Sequence, residues 1–248
     1  CGITMPITKH NYIVKDVTKL ADTIREAFYI ANEGRKGPVL IDVPKDITGA
    51  KCEYVKTQPR KIVNHNPENI NAQIEAAAEL IKAAEKPMIY AGGGVVSCDA
   101  VDEFAVFADK CDAPVSLSLM GQCAFDNTKP AYTGMLGMHG TKTSAMALGN
   151  CDLLVVFGSR FSDRVLCNAG TFGKNTKIIH IEIDPAEIGK NISVDAYVVG
   201  DLKYVLAKLN EILPNMKHPQ WMAQIAEWKT KYTLKMTPIA SEDEVLPQ

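Results

Sequence analysis

Apolar residues recur at helical spacing between Asp16 and Asn32, with Val17, Leu20, Ile24, Ala27, Phe28 and Ala31 on one stripe, and Gly34 closes the helix this predicts. A short apolar strand, Pro38 to Val43, follows and is stopped by Pro44. From Thr48 to Glu68 the chain is polar, rich in Lys and Pro, and without periodicity, which predicts a linker. Beyond it, helical and strand patterns alternate. Helices are predicted over Asn69–Glu85, Asp99–Cys111, Thr141–Gly149 and Leu202–Leu213. Strands are predicted over Pro87–Ala91, Ala113–Leu117, Asp152–Phe157, Lys177–Ile183 and Tyr197–Val199.

Several of these strands are apolar at successive positions, so both faces must be covered. Strands of that kind separated by helices predict an α/β fold, a doubly wound parallel sheet with helices on both faces. The expected layout is a partial domain over 1–50, a linker over 51–68, a complete α/β domain over 69–213, and a helix with a linker over 214–248. The first 50 residues offer one helix and one strand, too little to bury a core alone. The last segment reads as a helix over Pro219–Lys235 and then a polar, acidic stretch.

Composition narrows the function classes. Lys+Arg 27 against Asp+Glu 29 gives 27 − 29 = −2 over 248 residues, which disfavours a basic nucleic-acid binder. No apolar run reaches the roughly 18 residues a membrane span needs, and Cys1 to Pro6 has no signal layout, so neither membrane insertion nor secretion is expected. The seven cysteines contain no C-x-x-C pair and the five histidines no H-x-x-x-H pair. A cytoplasmic protein with free thiols and no protein-ligated metal is therefore expected.

In an open α/β sheet, ligands bind beyond the carboxyl ends of the strands. After Ile89-Tyr90-Ala91 comes Gly92-Gly93-Gly94, which could be a tight turn or a phosphate-approaching loop, and which is not G-x-G-x-x-G because Ser97 holds the last place. Leu119-Met120-Gly121 follows the next strand. Gly134 to Thr141 then supplies three glycines and two methionines before a helix that Thr141 could cap, either a ring-binding loop or ordinary core. Gly158-Ser159-Arg160-Phe161-Ser162-Asp163-Arg164 carries two arginines suited to a diphosphate. Glu182 and Asp184, on either side of Ile183, put acidic groups at a strand end, where a carboxylate can accept hydrogen bonds from ribose hydroxyls, and Gly200-Asp201 ends another strand in the same way. Together they argue for a dinucleotide across the crevice.

These same segments, with Ile179 to Asn191, resemble the middle domain of the acetolactate (acetohydroxyacid) synthase catalytic subunit, in the thiamine diphosphate enzyme superfamily. Ile7 to Tyr12, Ala27 to Ala31 and Gly37 to Asp46 resemble the end of its pyrimidine-binding domain, and Leu246-Pro247-Gln248 the start of its diphosphate-binding domain. The resemblance implies an enzyme that uses thiamine diphosphate and Mg²⁺ to decarboxylate pyruvate and join the two-carbon unit to a second 2-keto acid, in branched-chain amino-acid synthesis. It also implies FAD in the middle domain, without net redox. FAD contacts carry over to Gly92, Gly93, Gly94, Leu119, Met120, Gly137, Met138, His139, Gly158, Arg160, Arg164, Glu182, Ile183, Gly200 and Asp201. Met138, His139, Asp163 and Arg164 match positions near the substrate channel, and either Arg60 or Lys61 a linker contact to the flavin diphosphate.

The chain departs from the family pattern at Ser162, where the family has the first of two aspartates, and at Gln122-Cys123, where it has Leu-Gly. The family's catalytic glutamate and its G-D-G/N-N metal motif have no match, and Gly200-Asp201-Leu202 is not that motif. The resemblance thus implies a middle region with no catalytic residue of its own, inactive alone, working in a homodimer or tetramer, with a regulatory subunit left open. Two alternatives remain: the same region of glyoxylate carboligase or pyruvate oxidase, or a non-catalytic nucleotide-binding module.

Overall fold

The computed structural model describes residues 1–63 and 66–233. The chain divides into two compact units, Cys1–Pro67 and Glu68–Gln248. The Leu246-Pro247-Gln248 segment lies outside the described residues.

In the first unit, β1 (His10–Ile13) and β2 (Val39–Asp42) pair in parallel, with Tyr12 opposite Ile41. Between them runs α1 (Leu20–Asn32), entered through a 3-10 turn that Asp16 caps by accepting the Thr18 N–H at 2.9 Å. The short α2 (Lys45–Gly49) follows β2. The sequence pattern predicts one helix and one strand here; β1 and α2 are additional. The strand His10–Ile13 is four residues long, and both its ends are exposed, so it lacks the apolar run that marks a buried strand. Among the described apolar residues of this unit, Val14, Ala27 and Ile47 are buried.

The second unit is a six-stranded parallel sheet. Its elements are α3 (Ile70–Ala83), β3 (Pro87–Ala91), α4 (Gly93–Ser97), α5 (Val101–Cys111), β4 (Val115–Leu117), β5 (Tyr132–Met135), α6 (Lys142–Asn150), β6 (Leu153–Phe157), α7 (Asp163–Leu166), β7 (Lys177–Glu182), β8 (Ala196–Val199), α8 (Leu202–Ile212) and α9 (Pro219–Lys231). The spatial order is β5-β4-β3-β6-β7-β8, and every neighbouring pair is parallel. The chain therefore starts at β3, winds outward to β5, returns to β6 beside β3, and winds outward again to β8. That is the doubly wound order the alternating pattern predicts, with its topological switch point between β3 and β6.

Side chains alternate across the sheet and divide the core in two. Ile89, Val155 and Ile179 face α3, α5 and α8, where Phe104 and Phe107 pack edge-to-face on Phe157. Met88, Tyr90, Leu154 and Val156 face the other layer, built on Ala147 of α6 and Trp221 and Ile225 of α9. The Trp221 indole N–H donates to the Pro87 carbonyl at 2.9 Å, so α9 is fastened to the sheet and the unit runs past residue 213.

The strand Tyr132–Met135 was not expected, because Thr133 and Gly134 break the apolar run. It lies at the sheet edge, and buried Thr133 is satisfied by the Ser116 hydroxyl at 2.7 Å and the Val115 carbonyl at 3.0 Å.

Candidate functional site

The winding brings the loops after β3, β4, β6, β7 and β8 to one edge of the sheet. At the switch point the β3 and β6 loops meet backbone to backbone. The Gly92 N–H donates to the Phe157 carbonyl at 2.8 Å and the Gly94 N–H to the Gly158 carbonyl at 3.1 Å. Gly158 adopts φ +55°, and a Cβ there would lie 2.6 Å from the Gly94 Cα. The glycine triplet thus serves first to let two loops cross in contact, and two of its three amides are committed to that crossing. Of the two readings left open by its sequence, these contacts show the tight turn.

The other strand ends build outward from this crossing. Ser118 ends β4 and caps the 3-10 turn Leu119–Gly121, accepting the Gly121 N–H at 3.1 Å. This turn leaves Leu119 73% and Met120 78% exposed, beside Gly93. Large apolar side chains so exposed at a strand-end crevice suit contact with a flat, apolar ring.

After β5 the chain turns through Gly137, at φ +110°, where a Cβ would lie 2.5 Å from the Arg164 carbonyl. The neighbouring Met138 N–H donates to that same carbonyl at 2.8 Å, and the Arg164 guanidinium reaches the Met138 sulfur at 3.5 Å. Thr141 caps α6 by accepting the Ser144 N–H. Met138 and His139 lie on this loop and Asp163 and Arg164, expected with them near a common channel, on the first turn of α7 joined to it; all four are exposed. Arg160 is exposed on the same β6–α7 loop.

At the end of β7, Glu182 turns one carboxylate oxygen to the Ile183 and Asp184 N–H groups, at 2.9 and 3.4 Å. The Gly200 N–H donates to the Glu182 carbonyl at 3.0 Å, and Asp201 caps α8 through the Tyr204 N–H at 3.0 Å. The acidic strand ends are therefore adjacent, and each has one oxygen occupied by local backbone. Arg60 belongs to the first unit, where its guanidinium lies 4.3 Å from the Tyr29 ring centroid; Lys61 is exposed.

Two buried polar side chains under this edge were not singled out from sequence. Burial pushes the Tyr90 phenol up, against the smaller opposing effect of the Ser159 and Ser118 hydroxyls, and its hydroxyl completes no hydrogen bond of good geometry. His180 is fully buried, faces the Ser159 carbonyl with Nε2 at 2.8 Å, and is held below its ordinary pKa by desolvation. A polar residue inside the apolar run Ile178-Ile179-His180-Ile181 is the sequence signal that could have marked it.

Residues 74–209, more than half of the chain, match the family described as thiamine pyrophosphate enzyme, central domain. The chain belongs to the thiamine pyrophosphate enzymes. Relatives of this central domain include the acetolactate synthase large subunit of Parasynechococcus marenigrum, 42% identical over 100% of this chain and 41% of the relative. The acetolactate synthase large subunit of Porphyra purpurea is 39% identical over 99% of this chain and 44% of its own length. That of Corynebacterium glutamicum is 42% identical over 92% of this chain and 36% of its own length. The chain thus spans less than half the length of these curated relatives. The six-stranded parallel sheet is the architecture the resemblance to this family implies. No described helix is long and apolar enough to cross a membrane.

Proposed function

We propose that the chain is the middle region of an acetolactate synthase large subunit and that its sheet unit holds FAD across the β3/β6 switch point. The observation that carries this reading is the glycine crossing of Gly92, Gly94 and Gly158, flanked by exposed Leu119, Met120 and Met138 on one hand and by Arg160 and Arg164 on the other. The chemistry of this set fits the group: close-approaching backbone and guanidinium groups for a diphosphate, acidic strand ends for ribose hydroxyls, and apolar side chains for a flat ring.

In this reading Gly92, Gly93, Gly94 and Gly158 let the diphosphate approach the backbone closely, and Arg160 and Arg164 hold it. Leu119, Met120, Gly137, Met138 and His139 line the ring, while Glu182, Ile183, Gly200 and Asp201 close over the remaining nucleotide. Bound FAD would supply a structural and electrostatic surface without net redox. Arg164, with Asp163 beside it, would orient the carboxylate of a 2-keto acid, since a guanidinium matches a carboxylate in two parallel hydrogen bonds.

The parent enzyme would decarboxylate pyruvate with thiamine diphosphate and Mg²⁺ and join the two-carbon unit to a second 2-keto acid, as a cytoplasmic homodimer or tetramer. The residues that perform that chemistry would come from the part of the relatives' length that this chain does not span. Purified chain passed over a desalting column after incubation with FAD should carry a flavin absorbance band, yet form no acetolactate from pyruvate, thiamine diphosphate and Mg²⁺. Acetolactate formation would overturn the assignment of catalysis to other segments, and a colourless product would remove the flavin site.

A further inference from the structure

Three consecutive peptide carbonyls in the loop that carries Arg160 and leads to Arg164 in α7 are each gripped by a side chain from elsewhere. His180 Nε2 meets the Ser159 carbonyl at 2.8 Å. Asn191 Nδ2 donates to the Phe161 carbonyl at 3.0 Å and to the Arg160 carbonyl at 3.4 Å. The grips come from β7 and from the segment between β7 and β8, so they tie the β6–α7 loop to the strand that follows it.

The backbone between them is held in an unusual form. Phe161 sits at φ +50°, a left-handed conformation that bulky residues rarely adopt. Its ring is buried, edge-on to His180 at 5.0 Å and to Phe172 at 5.9 Å. Such a conformation persists only where its surroundings over-determine it. Here the determinants are the two grips and the ring packing, and they leave Arg160 exposed between two fixed neighbours.

The partner of His180 fixes its tautomer. A carbonyl can only accept, so Nε2 carries the proton; Nδ1 has no partner in its buried setting. Neutral His180 is then a donor of fixed direction, and burial supports that neutral state.

We propose that His180 and Asn191 are positioning residues that set the Ser159–Phe161 backbone, and thereby the direction in which Arg160 meets the diphosphate of a bound dinucleotide. The inference rests on the FAD reading and deepens it. Neither residue touches the ligand; each acts through the loop.

The test uses the full 248-residue chain and FAD as the probe, with affinity measured at several salt concentrations. Asn191 is exposed, so N191A should fold, with only a small drop in melting temperature from the lost bonds to the Arg160 and Phe161 carbonyls. Its FAD affinity should fall about tenfold, equivalent to about 1.4 kcal/mol, and the salt dependence of binding should flatten because the Arg160 guanidinium no longer points at the anion. R160A should do the same, and N191A/R160A should be no worse than R160A alone, the non-additivity expected of residues acting through one contact. H180Q, which keeps a neutral donor, should bind better than H180L.

FAD affinity of N191A within twofold of the unsubstituted chain, or additive losses in the double variant, would overturn the proposal. An unsubstituted chain that binds no FAD would remove the flavin reading and this inference with it, an outcome visible before any variant is made.

Discussion

Gly94 and Gly158 face each other so closely that a Cβ on either would lie 2.6 Å from the Cα of the other. The contact joins the first strand of each winding half, and no side-chain rotation can relieve a clash with backbone. G94A should cost about 3 kcal/mol by overpacking. G158A should cost about 1 kcal/mol more, because it adds left-handed strain at φ +55°. Gly149, exposed in α6 with nothing within 4 Å of an added Cβ, is the control: G149A should stabilise by about 0.5–1 kcal/mol. Urea unfolding of the three variants checks the ranking.

Helix α9 completes the layer over Met88 and Tyr90. W221A should lose about 3–5 kcal/mol through the cavity it leaves. W221F, which removes the bond to the Pro87 carbonyl, should lose about 1 kcal/mol through the unmade hydrogen bond. A chain ended at Leu213 should unfold at lower temperature than the full chain, since it exposes the apolar face that Trp221 and Ile225 cover. Equal melting temperatures would contradict the packing role of α9.

Burial lowers the pKa of His180 from the ordinary 6.5. The unfolded chain therefore binds this proton at a higher pH than the folded one. Its stability contribution is whole above about pH 6.5 and is lost as pH falls towards the folded pKa, with a slope of at most about 1.4 kcal/mol per pH unit. Urea midpoints measured from pH 7.5 down to 5 should fall, and H180Q should lose part of that dependence. An H180Q profile parallel to that of the unsubstituted chain would show that His180 carries none of it.

The cysteines should separate by reactivity. Desolvation pushes the Cys151 thiol up to about 12, and Cys111, also buried, is shifted upward still further. Cys52, Cys123 and Cys167 are exposed. An aromatic disulfide reagent at pH 8 should modify these three quickly and leave Cys111 and Cys151 untouched until denaturant is added, because the thiolate is the reacting form. Mass mapping of the modified peptides reads the outcome.

Strands β3 and β6 were legible because both their faces are buried, which writes Pro-Met-Ile-Tyr-Ala and Leu-Leu-Val-Val-Phe as unbroken runs. β1 and β5 were not, since a short or edge strand carries exposed or hydrogen-bonded polar residues and loses that signature. The strand-end glycines and arginines were visible as residue types, and the winding order explains why they converge. What sequence could not show is the grip of His180 and Asn191 on Ser159, Arg160 and Phe161. Those bonds link positions 21 to 31 residues apart, and depend on the left-handed turn at Phe161, which no local propensity of phenylalanine suggests.

The proposed site holds a dinucleotide across the crossing of Gly92, Gly94 and Gly158, with its diphosphate on Arg160 and Arg164. Parallel fluorescence titrations of the 248-residue chain with FAD and with riboflavin test it most directly, because the two share the ring and differ in the diphosphate and the second nucleoside. Saturable FAD binding is expected, with riboflavin weaker by about a hundredfold, equivalent to about 2.7 kcal/mol. Riboflavin binding as tight as FAD, or no saturable FAD binding, would contradict it.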